Sequence, residues 1–205
     1  MELTILAASG ATGLELTRQA LARGHTVTAV ARTPSRITVP DSPLLTRVAA
    51  DVRDPASITA ALAGSRVVIS GLGNIGREAG VLAAGARAAV AARPERIIWL
   101  GAFGTGPSAR AAGATTRTLL KLVMGKELPD KVAADALVLE AGGTVFHAGP
   151  LSAGPLSPDR RTLALSEAPK RLFPAGVSRA TVAAAMLDEA ENRTHPGGVA
   201  LPLDR

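Results

Sequence analysis

The stretch Leu3-Thr4-Ile5-Leu6-Ala7-Ala8-Ser9-Gly10-Ala11-Thr12-Gly13-Leu14 runs from an apolar segment, through a glycine turn, into a helical period. Leu3–Ala8 reads as a strand ended by Ser9-Gly10. Thr12–Arg23 reads as a helix with Leu14, Leu21 and the neighbouring Thr17 and Ala20 on its inner face, stopped by Gly24. Glycines between a strand and a helix let backbone N–H groups approach a pyrophosphate, and the helix N-terminus favours its negative charge. Gly10, Ala11, Thr12 and Gly13 are therefore candidate cofactor-binding residues. A G-x-x-G-x-x-G pattern would carry a third glycine at position 16, where this chain has Leu16. That glycine normally permits close helix–sheet packing, so the helix is expected to sit slightly further out, with the phosphate contacts intact.

Outward from this turn, strands and helices alternate. Thr26–Ala31, Leu45–Ala49, Arg66–Ser70, Arg96–Leu100 and Thr144–His147 read as strands. Asp54 caps a short helix to Ala63 with Pro55 at its first position, and Glu78–Ala92, Thr115–Met124 and Lys131–Ala141 read as further helices. Gly104–Gly113 reads as a loop, Thr162–Ser166 as a short peripheral strand, and Val199–Leu203 as a final strand. Ser178 caps a last helix ending near Glu191. This order predicts an α/β fold: a Rossmann-type doubly wound parallel sheet with helices on both faces. Residues 1–205 are expected to form one domain, the part beyond about residue 150 contributing to the substrate side. Ligands of such sheets bind outside the carboxyl ends of the strands. Those ends carry Ser9–Gly13, Ala31–Arg36, Asp51-Val52, Gly71–Gly76, Gly101–Gly104 and His147–Leu151.

Composition narrows the chemistry. The 205 residues include no cysteine and no tyrosine, which excludes a disulfide framework, a thiolate metal site and a tyrosine acid. Three histidines, at 25, 147 and 195, leave little for a histidine metal site, and no metal is expected. The net charge of +6 is carried by scattered arginines, and four aromatic residues make no stacking platform, so nucleic acid is not an expected partner. No apolar run is long enough for a membrane span, and the N-terminus lacks the basic region of a signal peptide, so the expected compartment is the cytoplasm.

The end of the second strand specifies the cofactor further. An NAD enzyme places Asp or Glu there to accept from the ribose 2′-hydroxyl; this chain has Arg32, with Arg36 four residues on. A guanidinium fork matches a 2′-phosphate, so NADP(H) is the expected cofactor. Asp51 is placed to accept from the adenine amino group while Val52 packs on the ring. Gly71, Leu72 and Gly73 leave room for the cofactor ribose.

With these residues in place, the chain resembles the atypical short-chain dehydrogenase/reductase group, and most closely its NmrA-like and biliverdin-IXβ-reductase-like NAD(P)H-binding members. The resemblance rests on residues 5–13, on Gly24-His25-Thr26-Val27-Thr28-Ala29-Val30-Ala31-Arg32, on Asp51-Val52-Arg53-Asp54 and on Val68-Ile69-Ser70-Gly71-Leu72-Gly73. It continues through Arg96-Ile97-Ile98-Trp99-Leu100, Asp130-Lys131 with Asp135 a turn later, and Ser178-Arg179-Ala180-Thr181-Val182-Ala183. Three departures stand out. Gly101-Ala102-Phe103 stands where many relatives place Ser, and Gly101 is counted with the cofactor positions. If Lys131 is the lysine of the family's Tyr-x-x-x-Lys, Glu127 occupies the tyrosine position. The sixth strand ends His147-Ala148-Gly149-Pro150 instead of Arg-Pro-Gly.

The resemblance implies that Lys131 holds the nicotinamide ribose and that His147 lies near the substrate. His147 and Lys131 are then the candidate proton donors beside water, with Glu127 a lesser one. Phe103 is expected to stack on a flat substrate. The leading expectation is a tyrosine-independent NADPH-dependent reductase of a small organic acceptor such as a flavin, quinone, tetrapyrrole or enone. A non-catalytic NADP(H)-binding redox sensor and a non-redox enzyme of secondary metabolism are the alternatives. The Ala-rich helices at 79–92 and 109–123 leave a homodimer open.

Overall fold

The computed structural model describes residues 1–73, 79–125, 127–169 and 174–205. Residues 74–76 of the glycine segment after the fourth strand, the expected helix start at Glu78, and Phe173 lie outside the described residues. The strands are β1 (Glu2–Leu6), β2 (Thr26–Ala31), β3 (Leu45–Ala49), β4 (Val67–Ser70), β5 (Arg96–Ala102), β6 (Thr144–Ala148), β7 (Leu151–Ser152), β8 (Arg161–Ala164), β9 (Val177–Ser178) and β10 (Val199–Leu203). The helices are α1 (Ala11–Ala22), α2 (Pro55–Leu62), α3 (Val81–Ala91), α4 (Ala109–Met124), α5 (Glu127–Glu140) and α6 (Arg179–Asn192).

Among the described residues the main sheet has the order β3-β2-β1-β4-β5-β6-β10-β8, all parallel except β8 against β10. The direction of winding reverses between β1 and β4, which is where an open parallel sheet forms its binding crevice. Leu6 of β1 is in register with Val30 of β2 and Ser70 of β4, so these three strand ends frame the crevice.

Apolar residues on both sides of each central strand explain the two helical layers. Leu3, Ile5, Ile69, Ile98 and Leu100 pack with Leu16 and Ala20 of α1 and Val182, Ala183 and Met186 of α6. Leu6, Val68, Ile97 and Trp99 pack with Ile58 and Leu62 of α2, Leu82 and Ala86 of α3 and Ala134 and Val138 of α5. The small residues of α3 serve this second layer. A Cβ on Gly85 would fall 2.7 Å from Leu72 Cδ2 and 3.4 Å from the Trp99 ring. That face is therefore consumed internally rather than offered to another copy. Asp130 of α5 caps α3, accepting from Leu82 N at 2.9 Å and Ala83 N at 3.0 Å, and Asp54 caps α2 through Ala56 N and Ser57 N.

Several boundaries differ from the sequence reading, three of them near the site. β1 ends at Leu6 because Ala7 adopts a left-handed conformation, φ 57°. The 104–113 segment is not all loop: Gly106–Ser108 form a 3-10 turn and α4 begins at Ala109, with a break at Gly113, φ 76°. α5 starts at Glu127, four residues earlier than Lys131, with Glu127 and Asp130 in its first turn, where acidic side chains complement the helix dipole. The short parallel pair β7–β9 has no counterpart in the sequence reading; it joins Leu151 to Val177 and Ser152 to Ser178.

The C-terminal end of α6 is fastened by Glu189. Its buried carboxylate accepts from Thr194 N and Oγ1, His195 N and Thr144 Oγ1. Burial alone would raise its pKa, but these hydrogen bonds outweigh burial and hold it below the ordinary value of 4.5. A depressed carboxylate pKa contributes stability above its unfolded value and loses it as pH falls through the folded one. Glu189→Gln should destabilise the fold by about 1–3 kcal/mol at pH 7. Urea unfolding across pH should show that difference shrinking as pH drops below 4.5; a gap independent of pH would contradict the assignment.

Candidate functional site

A cleft of about 340 Å³ opens at the carboxyl ends of β1, β2, β3 and β4. Its floor and walls include Ala7, Ser9, Gly10, Ala11 and Thr12 from the first turn, Arg32 and Arg36 after β2, and Asp51, Val52 and Arg53 after β3. Gly71, Leu72 and Gly73 after β4, Leu100 of β5, Leu151 of β7 and Arg179 of α6 complete it.

The first turn is built by close backbone contact. Gly10 N donates to Ala7 O at 2.9 Å, and Leu14 N donates to Gly10 O at 2.8 Å. A Cβ on Gly13 would lie 2.1 Å from Ala7 O and 2.7 Å from Ala8 Cα, and one on Gly71 would lie 3.2 Å from Gly13 N. The helix expected to stand off the sheet for want of a third glycine is thus in tight contact at its first turn. Leu16, fully buried, packs into the core one turn further on. Ala7 carries the left-handed strain that swings the chain under the helix N-terminus, and such strain concentrates at functional sites. The result is a cradle of backbone N–H groups with room for a pyrophosphate, so the residues present fit a dinucleotide.

At the β2 end, Arg32 and Arg36 are exposed and border the cleft. Asp51 is not an idle carboxylate. It accepts from Arg53 N at 3.0 Å, and its Oδ2 lies 3.3 Å from Arg53 Nη2. The backbone and side-chain hydrogen bonds from Arg53, and to a lesser degree the charge of Arg32, hold its pKa below the ordinary value of 3.8. Asp51 is thus an ionised carboxylate at the cleft edge whose oxygens are already engaged by Arg53.

Gly101, Lys131, Phe103 and His147 do not line this cleft themselves, although Gly101 and Lys131 adjoin Leu100, which does. A Cβ on Gly101 would fall 2.5 Å from His147 Cδ2 and 2.9 Å from Val145 Cγ1, so this glycine makes room for a neighbouring side chain. Lys131 is buried, its Nζ 3.5 Å from Leu100 O, and burial pushes its pKa below the ordinary lysine value, partly offset by Asp135, Glu127 and Asp130. The His147 side chain is fully buried. Its Nε2 lies 3.1 Å from Asp135 Oδ2 and its Nδ1 2.6 Å from Ser108 Oγ, which also accepts from Gly104 N at 2.8 Å. In a neutral ring Nε2–H donates to Asp135 and Nδ1 accepts the Ser108 hydroxyl. Both ring nitrogens are engaged within the fold, and the ring borders a separate apolar pocket of about 30 Å³ beside Phe103. Sequence reasoning missed Arg53 and Arg179 as cleft residues, whereas Leu151 falls within the expected His147–Leu151 strand end. For Arg179 the available signal was its place directly after a helix-capping serine.

The comparisons agree with this geometry. A family model for NAD(P)H-binding proteins matches residues 7–193. No curated protein matches the sequence. Among solved structures, a putative exported protein from Burkholderia pseudomallei is similar at 26% identity and TM-score 0.77, with 98% of each chain covered. A short-chain dehydrogenase/reductase from Veillonella parvula, in complex with NADP, is similar at 18% identity and TM-score 0.80, covering 98% of this chain and 93% of that one. The anaerobilin reductase ChuY from Escherichia coli O157:H7 is similar at 18% identity and TM-score 0.78, covering 100% of this chain and 97% of its own. The last two likenesses establish a shared fold.

The buried His147 network yields a direct test. His147→Gln should lower stability by about 2 kcal/mol, because Ser108 and Asp135 lose a partner in a dry interior. It should leave dinucleotide affinity unchanged in a binding titration. Intact stability with a lost affinity would place His147 at the ligand instead.

Proposed function

The chain belongs to the NAD(P)H-binding family, and from that premise we propose that it is an NADPH-dependent oxidoreductase reducing a small organic acceptor, of the class of flavins, quinones, tetrapyrroles or enones. The observation that carries this reading is the cleft itself: a backbone cradle at Ser9–Thr12 joined to Arg32 and Arg36, with no carboxylate at the end of β2. The N–H groups of Ala11 and Thr12 at the helix start would hold the diphosphate, with Gly10 letting the backbone come close, Arg32 and Arg36 the 2′-phosphate, and Gly71 and Gly73 leave space for the ribose. Asp51 and Val52 lie where the adenine is expected. Bound there, the reduced nicotinamide supplies a hydride. The chain acts as one unit, residues beyond 150 contributing Leu151 and Arg179 to the cleft wall.

No tyrosine is present, and the buried Lys131 and His147 are turned into the fold, so water is the proton source in this reading. A reaction drawing on NADPH fits the cytoplasm, and no helix among the described residues is long and apolar enough to cross a membrane. The same burial of both candidate donors favours a second reading, a non-catalytic NADP(H)-binding redox sensor.

Two measurements decide. NADPH oxidation against a panel of flavins, quinones, tetrapyrroles and enones supports the reductase if any acceptor turns over; tight binding with no turnover across the panel assigns the sensor. Arg32→Ala should weaken NADPH by roughly tenfold or more, the worth of one charge-assisted contact, and leave NADH nearly unchanged. Equal loss for both dinucleotides would remove the 2′-phosphate assignment.

A further inference from the structure

We propose that Arg179 is a dinucleotide-binding residue whose guanidinium, reaching the cleft from α6, neutralises the diphosphate held at the first glycine turn. This rests on the dinucleotide reading of the cleft and adds to it a contact from the C-terminal half of the chain.

The backbone at Arg179 is fixed from several directions. Ser178 Oγ caps α6 by accepting from Thr181 N at 3.0 Å, and Ser178 N donates to the Asp204 carboxylate at 3.2 Å. Val177 N donates to Pro150 O at 3.0 Å within the β7–β9 pair. Gln19 of α1 donates to Ala180 O at 3.0 Å, tying the start of α6 to the helix that presents the phosphate cradle. Side chains on a helix lean toward its N-terminus, so the first residue of α6 projects beyond the helix end. Arg179 there borders the same cleft as Ser9, Gly10, Ala11 and Thr12.

Arg179, at the end of this anchored backbone, is half-buried, and its guanidinium makes no hydrogen bond or ion pair with the described residues. The acids of its own helix are committed elsewhere. Asp188 pairs with Arg23 and Arg160, Glu191 with His25 and Arg23, and Glu189 with the 194–195 segment. In the cleft, Asp51 is held by Arg53. An arginine fixed at its backbone and unpaired at its head is matched to an anion from outside, and a guanidinium binds phosphate oxygens through parallel N–H donors. The glycine turn offers the diphosphate only backbone N–H groups and the partial charge of a helix end; Arg179 supplies the full positive charge that the turn lacks. Arg32 and Arg36, by contrast, follow β2 on the adenosine side.

The test is calorimetric titration of the full chain and of Arg179→Gln with three probes: NADPH, 2′-phospho-ADP-ribose, which keeps the diphosphate but lacks nicotinamide, and 2′-AMP, which has no diphosphate. Arg179→Gln should weaken NADPH and 2′-phospho-ADP-ribose by about 10- to 100-fold, the range for a hydrogen bond to a charged group, and leave 2′-AMP and the unfolding midpoint unchanged. Arg179→Lys should recover part of the loss. Unchanged NADPH affinity in Arg179→Gln overturns the proposal, and so does a parallel loss of 2′-AMP, which would mark a general effect on the fold. Failure of the unsubstituted protein to bind NADPH would instead remove the dinucleotide reading, and the proposal with it.

Discussion

One missing methyl group sets the geometry of the site. Gly13 packs its α-carbon against the Ala7 carbonyl so closely that any Cβ would overlap it, at 2.1 Å. No side-chain movement relieves a clash with backbone, so the first turn of α1 sits over the end of β1 only while residue 13 is glycine. The same contact is shared by β4, where Gly71 approaches Gly13 N. Three segments separated in sequence therefore meet without side chains between them. The cleft opens beside this contact, lined by Gly10, Ala11 and Thr12 at the helix start and by Gly71 after β4.

The two halves of the chain contribute different things to this cleft. The first hundred residues supply its floor, because the winding reverses between β1 and β4. The last fifty-five supply a wall, through Leu151 and Arg179, fastened by the β7–β9 pair and the contact of α6 with α1. Charge follows the same division. Arg32, Arg36 and Arg53 collect near the β2 and β3 ends, where Asp51 interacts with Arg53 and Arg32, whereas Arg179 enters from α6 in no ion pair with a described residue, the nearby Asp204 carboxylate accepting from Ser178 N. A dinucleotide carries its charge at its phosphates and its neutral or reactive rings elsewhere, and this separation of cations suits such a ligand better than one anionic group would.

Local chemistry was legible in the sequence wherever it determines structure locally. Ser9–Gly13, the Asp54 cap with Pro55, and the Ser178 cap all act within a few residues, and each element lies close to its expected place. What escaped the sequence depends on partners far along the chain. The left-handed Ala7 looks like one more residue of an apolar run, and only its packing against Gly13 forces the turn. The pairing of Leu151 with Val177 closes across 26 residues with strands of two residues each, too short for any periodicity. Lys131, at a helix start, stands out through the family resemblance and His147 as the end of a strand, but their direction depends on Leu100, Asp135 and Ser108, which sequence spacing does not bring together.

Two departures from the family pattern are one physical event. His147 of β6 lies in register with Gly101 of β5. Its ring occupies the space a side chain at position 101 would need, Cδ2 standing 2.5 Å from that imagined Cβ. A side chain at 101 and the histidine in this orientation exclude each other, so the glycine at the end of β5 and the buried histidine on β6 belong together. The hydroxyl facing this region is that of Ser108, and it is spent on the His147 ring. Ser108, His147 and Asp135 thus form one internal network at the ends of β5 and β6.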